Sequence, residues 1–587
     1  FMGVGNLRNR CDIVGIDVGG TNTDAVLVRD EDVIAAAKAP TNPDNLLEGA
    51  QIAYRQVVEA HDGTSPIELH LSTTLSTNAI IEGQGDPTVV LATPGPGMSF
   101  DDMGLGFPVH ALSGYIDHRG REVAPVDVSA AMSTLKAACD DGAKALAIVG
   151  KFSHRNPAHE LQIEQEVIAE FPQYSPATLG HRLSGRPNFP RRLATAYLNA
   201  SIARQQSLFA EMVQNLITGD EVERVFILKA DGGTMRLKES MIRPIETILS
   251  GPAASTMGAK ALTRHPGANA VIVDIGGTTT DISVQVAGEP IYDRYGAEIS
   301  GHKTLVPALF SRSIGLGGDS SIHVRLVNGA PTFYVGPRRA GVPVVRGGSK
   351  PTPTDAAVAE GLSSLGSREL ATRAMAQLGA PYGMDASSVA KAVLDAFTRQ
   401  LADEIEAVYA HLESIPAYTV SEILAPPDIR PAMLIGLGAP APVFIPPAAD
   451  RLGISWEILP YYEEANAVGA AASQPTAAIT LHADTMLGVL TVPEADHVER
   501  IKRPITFDIK QARSEAIAWA CRFAEEIGVE ASQGVSIVEE ESFNVVRGFY
   551  TAGHIYSIKA QVRPQVRRIK AAETSGVEGP DQSKEDV

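Results

Sequence analysis

Residues 17–24 read DVGGTNTD and residues 274–281 read DIGGTTTD, agreeing at six of eight positions across a separation of 257 residues. Each copy follows a short apolar run (13–17 or 270–274) and precedes a β-rich one (24–28 or 282–286). One glycine-rich turn carries little information. Two near-identical turns in matching strand contexts imply two similar domains facing one site. Paired glycines let a backbone approach phosphate oxygens, and consecutive amides and threonine hydroxyls supply donors. The carboxylates that close the preceding strands, Asp17 and Asp274, would repel phosphate unless Mg²⁺ lay between them, held directly or through water. The alternative is a tight β-turn whose Asp and Thr cap backbone groups. One copy leaves that alternative open, and two copies make it hard to sustain.

Outward from these turns, short β-rich runs alternate with amphipathic stretches, which predicts α/β architecture. Residues 45–59 have helical spacing, 88–92 and 145–149 read as buried strands, and 190–213 is a long helical candidate. A strand at 225–228 runs into the turn Asp231-Gly232-Gly233-Thr234. Glycine and proline thicken over 336–353, which predicts a long fixed loop or an inserted lobe. Residues 371–412 are mostly helical in pattern, and a strand at 433–437 is followed by a proline-bearing stretch through Pro447. The spacing predicts a first domain at 12–240 and a second at 241–475 with an inserted lobe near 300–370. A small C-terminal α+β unit at 476–570 and a disordered tail at 571–587 complete the expected organisation.

At ~100–200 residues per domain, a chain of 587 residues is too long for one core. Lys+Arg 50 against Asp+Glu 69 leaves a net charge of −19, with a pI near 5.2 and a mean hydropathy of 0.00. So acidic a surface repels phosphodiester backbones and anionic lipid, so neither nucleic acid nor a membrane is expected as a partner. No apolar run approaches the ~20 residues that span a bilayer. Cys11, Cys139 and Cys521 are far apart and form no CxxC pair, which argues against a disulfide framework or a cysteine-rich metal site. With no secretory pattern in the first residues, a cytoplasmic setting is expected.

The stretches IVGIDVGGTNTDAVLV (13–28) and VIVDIGGTTTDISV (271–284) resemble the two phosphate motifs of the actin/sugar-kinase/Hsp70 superfamily. Within it the sequence is similar to the hydantoinase/oxoprolinase family, the ATP-dependent A-type subunits. Further segments stand in family order: STTLSTNAIIEG (72–83), NPAHE (156–160), ILSGPAAS (248–255), GLGGDSSI (315–322), VGP (335–337) and PTPTDA (351–356). LIGLGAPAP (434–442) sits where the adenosine-side turn would be, and ANAVGAAAS (465–473) resembles the helix closing the second domain. The likeness runs from about residue 12 to 475. It departs from the family at Leu71, where a histidine is usual (His70 lies one position early), and at Pro440-Ala441-Pro442-Val443, which lacks the usual histidine.

The resemblance implies two ribonuclease-H-like (actin-like ATPase) domains around a central nucleotide cleft, ATP and Mg²⁺ as cofactors, and phosphorylation of a stable amide or carbonyl oxygen. Phosphorylation turns a poor leaving group into a good one, and the protein contributes positioning and charge stabilisation. Asp17 and Asp274 are thereby assigned to Mg²⁺. Gly19, Gly20, Thr21 and Thr23 would cradle one part of the triphosphate, and Gly276, Gly277, Thr278 and Thr279 the other. Gly436, Gly438 and Ala439 would lie against the adenosine, and Glu246 is a candidate for orienting the attacking group, although a surface carboxylate reads equally well. Asp24 and Asp281 more simply hydrogen-bond their turns. Thr73, Thr74, Thr77 and Asn78 line the cleft or cap a helix. Gly315, Gly317, Gly318 and Ser320 serve substrate, phosphate or only a tight turn. His154 and His159 near Glu160 invite a metal reading that lacks a third ligand, and His482 and Asp484 are weaker still.

The leading expectation is an ATP-dependent hydrolase subunit opening a hydantoin, oxoproline or other lactam, in an oligomer with a B-type partner subunit. A ketone carboxylase subunit is the runner-up. A small-molecule kinase and an actin-like nucleotide-binding module or reductase-activating ATPase follow, the activator lacking its usual clustered cysteines here.

Overall fold

The computed structural model of the chain describes residues 11–42, 45–216, 222–293, 295–415, 428–529, 534–570 and 577–578. Of the expected C-terminal tail, only 577–578 lie within the described residues.

The first half is built on strands β1 (Asp12–Val18), β2 (Asn22–Arg29), β3 (Asp32–Pro40) and β4 (Ile67–Thr73), followed after a long excursion by β5 (Val222–Leu228) and β6 (Thr234–Arg236). Their order in the sheet is β6-β5-β4-β1-β2-β3. The pairs β1–β2 and β2–β3 are antiparallel, whereas β4 lies parallel to both β1 and β5. β1 is buried along its whole length, and its stretch 13–16 is apolar because both faces are covered. Val14 and Ile16 point into a core with helices α1 (Leu46–Val58) and α2 (Phe189–Leu216), while Ile13 points the other way, into a core shared with the second half. The excursion between β4 and β5 carries a smaller sheet of Thr88–Thr93, His110–Ala111, Ala145–Gly150 and Thr178–Leu179.

The second half opens with α3 (Ser250–Leu262) and repeats the same plan with β7 (Ala270–Ile275), β8 (Thr280–Val286), β9 (Glu289–Pro290), β10 (Met433–Leu437) and β11 (Ser455–Ile458). The order β9-β8-β7-β10-β11 matches β3-β2-β1-β4-β5 of the first half. Both sheets thus have the ribonuclease-H-like 3-2-1-4-5 arrangement, and the fold is a duplicated α/β one. Between β9 and β10 lie a hairpin (Ser320–Val327 with Ala330–Arg339) and helices including α4 (Ala386–Ser414). The helical stretch before β10 is divided at Ala380–Tyr382 and Gly383, and α4 then starts on Asp385, which accepts from the Ser388 amide.

One stretch differs from its sequence reading. The prolines after β10 lie in and on a helix, α5 (Ala441–Leu452), with Pro446 and Pro447 in its interior. Two missing amide donors weaken such a helix, but its Phe444, Ile445, Ala448 and Ala449 are fully buried, and Phe444 stacks on Phe397 of α4 at 3.8 Å. Burial of that face outweighs the lost hydrogen bonds.

Helix α6 (Ala465–Ala472) then crosses back to the first half, between β1 and α3. It comes so close that a Cβ on Gly469 would stand 2.0 Å from the Ala254 carbonyl, and one on Gly15 of β1 2.2 Å from the Ala467 carbonyl. Small residues at this crossing lock the two halves in one register. After it, β12 (Ala478–Asp484), β13 (Val489–Val492), β14 (His497–Arg500), β15 (Val535–Arg547) and β16 (Tyr550–Val562) form a sheet ordered β14-β13-β12-β16-β15, covered by α7 (Ile509–Glu526). This unit is held to the first half by ion pairs, Arg119 with Asp484 at 2.6 Å and the buried His181 with Asp496 at 2.6 Å. Among the described residues, no helix is long and apolar enough to cross a membrane.

Candidate functional site

The duplicated turns occupy the same place in the two sheets. Gly19 donates to the Asn22 carbonyl at 3.1 Å and Gly276 to the Thr279 carbonyl at 2.9 Å, closing each β-hairpin. Asp17 pairs in register with Asp24, and Asp274 with Asp281. Helix α6 enters between the hairpins, and its second residue, Asn466, donates to Asp274 Oδ2 at 3.0 Å. Ser255 of α3 donates to the same oxygen at 2.7 Å. Burial pushes the Asp17 carboxyl up to about 6; the neighbouring Ser72 and Asn466 oppose this, and the Asp274 charge adds to it. Asp274 is raised for the same first reason, against Ser255 and Asn466. Asp17 Oδ1 is buried with no partner among the described residues. The structure thus brings the two aspartates to one asparagine in one cleft, as a pair of under-solvated, like-charged hard oxygen donors. That donor set fits a divalent cation that keeps most of its waters.

The two turns are not equally supported. Gly318 donates to the Gly276 carbonyl (3.0 Å), Asp319 to the Gly277 carbonyl (2.6 Å), and Thr280 Oγ1 to the Leu316 carbonyl (2.5 Å). A Cβ on Gly317 would lie 2.6 Å from the Gly277 carbonyl, so glycine is needed there for the loop 315–320 to lie against the turn. Thr278 is half-buried and Thr279 exposed. In the first turn Gly20 and Thr21 are exposed, while Thr23 is buried against Thr41, with 3.0 Å between the hydroxyls. Arg339 reaches across, with Nη2 on Asp319 at 2.9 Å and Nη1 3.5 Å from Thr21 Oγ1.

Thr73, Thr74, Thr77 and Asn78 stitch the end of β4 to its surroundings. Ser250 donates to the Thr73 carbonyl (2.8 Å), Leu249 to Thr77 Oγ1 (3.1 Å) and Asn78 to Thr74 Oγ1 (3.4 Å). At the end of β10, Gly438 has φ +87° and lies so close to the second turn that a Cβ would stand 2.8 Å from Asp274 Oδ1. Ala439 beside it is exposed. Gly436 is different, because Ile445 and Ile458 fill the space its Cβ would take, making it a packing glycine under α5.

Glu246 does not join the aspartates. It lies in the turn Pro244–Thr247 and lines a small cavity, 3.6 Å from Lys229 and 3.8 Å from Arg243. Lys229 also pairs with Asp231 at 3.2 Å. The histidines part company too. His154 accepts from Arg192 and meets His482 edge-on, His159 pairs with Glu122, and Glu160 pairs with His181. Burial holds His154 and His482 well below the usual imidazole range. Asp484 pairs with Arg119. Among the described residues, three potential ligand side chains converge at Asp12, His61 and Asp62, but Arg29 already bridges the two carboxylates at 2.6 and 2.9 Å. Asn466, Ser255 and Arg339 are the cleft residues that sequence reading missed, although Asn466 stands at the start of the ANAVGAAAS segment.

Two family models match the chain: hydantoinase/oxoprolinase N-terminal region over residues 13–171, and hydantoinase/oxoprolinase over 192–479. The chain belongs to the hydantoinase/oxoprolinase family. Caprolactamase subunit alpha of Pseudomonas jessenii is 25% identical over 490 residues, covering 76% of this chain and 68% of the relative. Acetophenone carboxylase gamma subunit of Aromatoleum aromaticum is 28% identical over 403 residues, covering 59% and 53%. Among solved structures, the ATP-dependent caprolactamase of P. jessenii superposes with TM-score 0.69 at 19% identity, over 95% of this chain and 88% of that one. A nucleotide-free acetone carboxylase gives TM-score 0.68 at 18% identity, over 96% and 89%. These superpositions establish the shared fold. Three similar proteins, the caprolactamase, acetophenone carboxylase and acetone carboxylase relatives, are named as subunits, and lactamase or oxoprolinase and carboxylase names both occur among the relatives.

Proposed function

We propose that this chain is the ATP-using subunit of a cytoplasmic hydrolase that phosphorylates and opens a cyclic amide, working with a B-type partner. The observation that carries the reading is the meeting of Asp17 and Asp274 at Asn466. ATP would lie with its phosphates between the turns 19–23 and 276–279 and its adenosine toward Gly438 and Ala439. Mg²⁺ would rest on Asp17 and Asp274, supplying charge neutralisation for phosphoryl transfer. The chain's own residues provide the remainder. Backbone amides of both turns donate to phosphate oxygens, Asn466 and Ser255 orient Asp274, and the Arg339 guanidinium stands where charge gathers on the transferred group. The resulting acyl phosphate-like carbon is open to water or to a nucleophile from the partner.

ATP hydrolysis measured across lactams, imides and, with bicarbonate, ketones, with and without the candidate partner, tests this reading. Stimulation by a lactam with release of the ring-opened acid is expected. Stimulation by ketone and bicarbonate alone would replace the hydrolase with a carboxylase, the activity named for the acetophenone relative. Undiminished ATPase in Asp274→Asn would remove the nucleotide site itself.

A further inference from the structure

At the far edge of the C-terminal sheet, β15 lies beside β16 on one side and, among the described residues, beside no strand on the other. Its residues are exposed from Val538 to Asn544, and the end of the hairpin is exposed throughout, from Val546 to Thr551. The support beneath it stops early. β12 accompanies β16 only as far as Ile555, Thr485 donates to the His554 carbonyl at 2.9 Å, and Gly553 lies against Met486. Beyond that point the two strands stand out alone, with Phe543, Val546, Phe549 and Tyr550 as exposed large apolar side chains. So long an open edge carries a row of unpaired backbone donors and acceptors, which is a template for a further strand.

The charges along this edge are unevenly satisfied. Glu539 is bonded by Arg186, and Glu540 by Arg513 at 2.6 Å, so both carboxylates are already engaged. Glu541 and Arg547 have no ion pair among the described residues, and Arg155 attracts Glu541 only at longer range. From Glu539 onward β15 alternates without interruption, because the irregularity beside Val545 inserts Ala552 into β16 instead. Glu541, Phe543, Val545 and Arg547 therefore share one face. This order is self-complementary. The strand can be laid antiparallel against its own copy with Asn544 opposite Asn544. Glu541 then faces Arg547 of the second copy, Phe543 faces Val545 and Ser542 faces Val546, each twice about a two-fold axis. Moving the centre to Phe543 or Val545 loses the pairing of Glu541 with Arg547.

We propose that β15 pairs with β15 of a second copy of this chain, joining the two five-stranded C-terminal sheets into one continuous sheet. The occupant is a second copy rather than an unrelated strand because one sequence supplies both members of each opposed pair. The open backbone edge contributes hydrogen bonds, and the two pairs of Glu541 with Arg547 fix the register. Phe543 and Val545 cover apolar surface on either side of the axis. The contact lies in the C-terminal unit, away from the two aspartates, and does not depend on the function proposed above.

Sedimentation velocity of the full chain without nucleotide tests it, over roughly 1–100 µM, where the weaker specific interfaces assemble. The parent should form a dimer. Glu541→Arg sets like charges against each other at both pairs, and so does Arg547→Glu. Each should therefore weaken dimerisation by ~10-fold or more, and because both side chains are exposed the circular dichroism of the folded chain should not change. Mixing the two variants restores both attractive pairs in a heterodimer, and combining the substitutions in one chain restores them in a homodimer, so association should recover in both cases. Three results would overturn the proposal: a parent that stays monomeric, including one whose edge binds only the candidate B-type partner; single variants that dimerise as tightly as the parent; or a mixture no tighter than its components.

Discussion

The hairpins at 17–24 and 274–281 share six of eight residues yet are differently housed. The second is backed by the loop 315–320 through three hydrogen bonds, and its Asp274 is gripped by Ser255 and Asn466. In the first, Gly20 and Thr21 stand open to solvent, and Asp17 keeps one buried oxygen without a partner among the described residues. Identical turn chemistry has therefore been given two duties. The second hairpin is a preset platform, whereas the first contributes an under-satisfied carboxylate and exposed donors that a ligand completes.

The largest test sets the two aspartates against each other. Asp17→Asn and Asp274→Asn should each lower ATP turnover by about 100-fold or more, since each removes a charge that would hold the metal. Their melting temperatures should diverge. Neutralising Asp17 removes a buried, poorly solvated charge, so that variant should melt some degrees higher without nucleotide. Asparagine at 274 can still accept from Ser255 and Asn466, so little change is expected there. If both variants melted like the parent, the contrast between platform and open carboxylate would be wrong.

A glycine pair probes the backing loop. Gly317→Ala would drive a methyl to within 2.6 Å of the Gly277 carbonyl, whereas a Cβ on Gly20 meets nothing within 4 Å. Gly317→Ala should therefore raise KM for ATP by roughly 10-fold and cost about 1–3 kcal/mol of stability. Gly20→Ala should stay within ~0.5 kcal/mol of the parent in stability while weakening ATP binding through the methyl it places in the phosphate cradle. Steady-state kinetics and thermal melts on the two variants check this.

These elements differ in how far they could be read from the sequence. The hairpins were legible because a DxGGTxTD turn between apolar runs is a local pattern that needs no tertiary information. The duplicated ribonuclease-H-like plan was likewise legible from repetition and resemblance, whereas the 3-2-1-4-5 strand order comes from the structure. Asn466 was not legible as a partner of Asp274, because 192 residues separate them and only the crossing of α6 brings them together. Lys229 and Lys559 line one cavity although they stand far apart in the chain. The helix α5 was hidden by Pro446 and Pro447, whose local preference yields to the buried Phe444–Phe397 stack. Glu246 was chosen for its position before ILSGPAAS, and the fold directs it toward Lys229.

The smallest effect is in pH. Burial holds Asp17 up to about 6 and both Asp24 and Asp281 up to about 7, all above the ordinary carboxyl value of 3.8. The folded state then binds protons that the unfolded state has already released, so stability falls as pH rises between about 4 and 7. The penalty is complete above about 7 and absent below about 4. A metal-bound nucleotide needs the ionised forms, and its own contribution should grow over the same range. The melting temperature of the free protein should therefore be higher at pH 5.5 than at 7.5, while the rise caused by Mg·ATP should be larger at 7.5. The hairpins again differ, because Lys38 stands 3.4 Å from Asp24, and Asp281 has only the Ser313 hydrogen bond against burial and the Asp274 charge. Lys38→Met should steepen the fall in stability between pH 5.5 and 7.5, because Asp24 loses its counter-charge and is driven further upward. A slope unchanged by that substitution would show that Lys38 gives the first hairpin no relief that the second lacks.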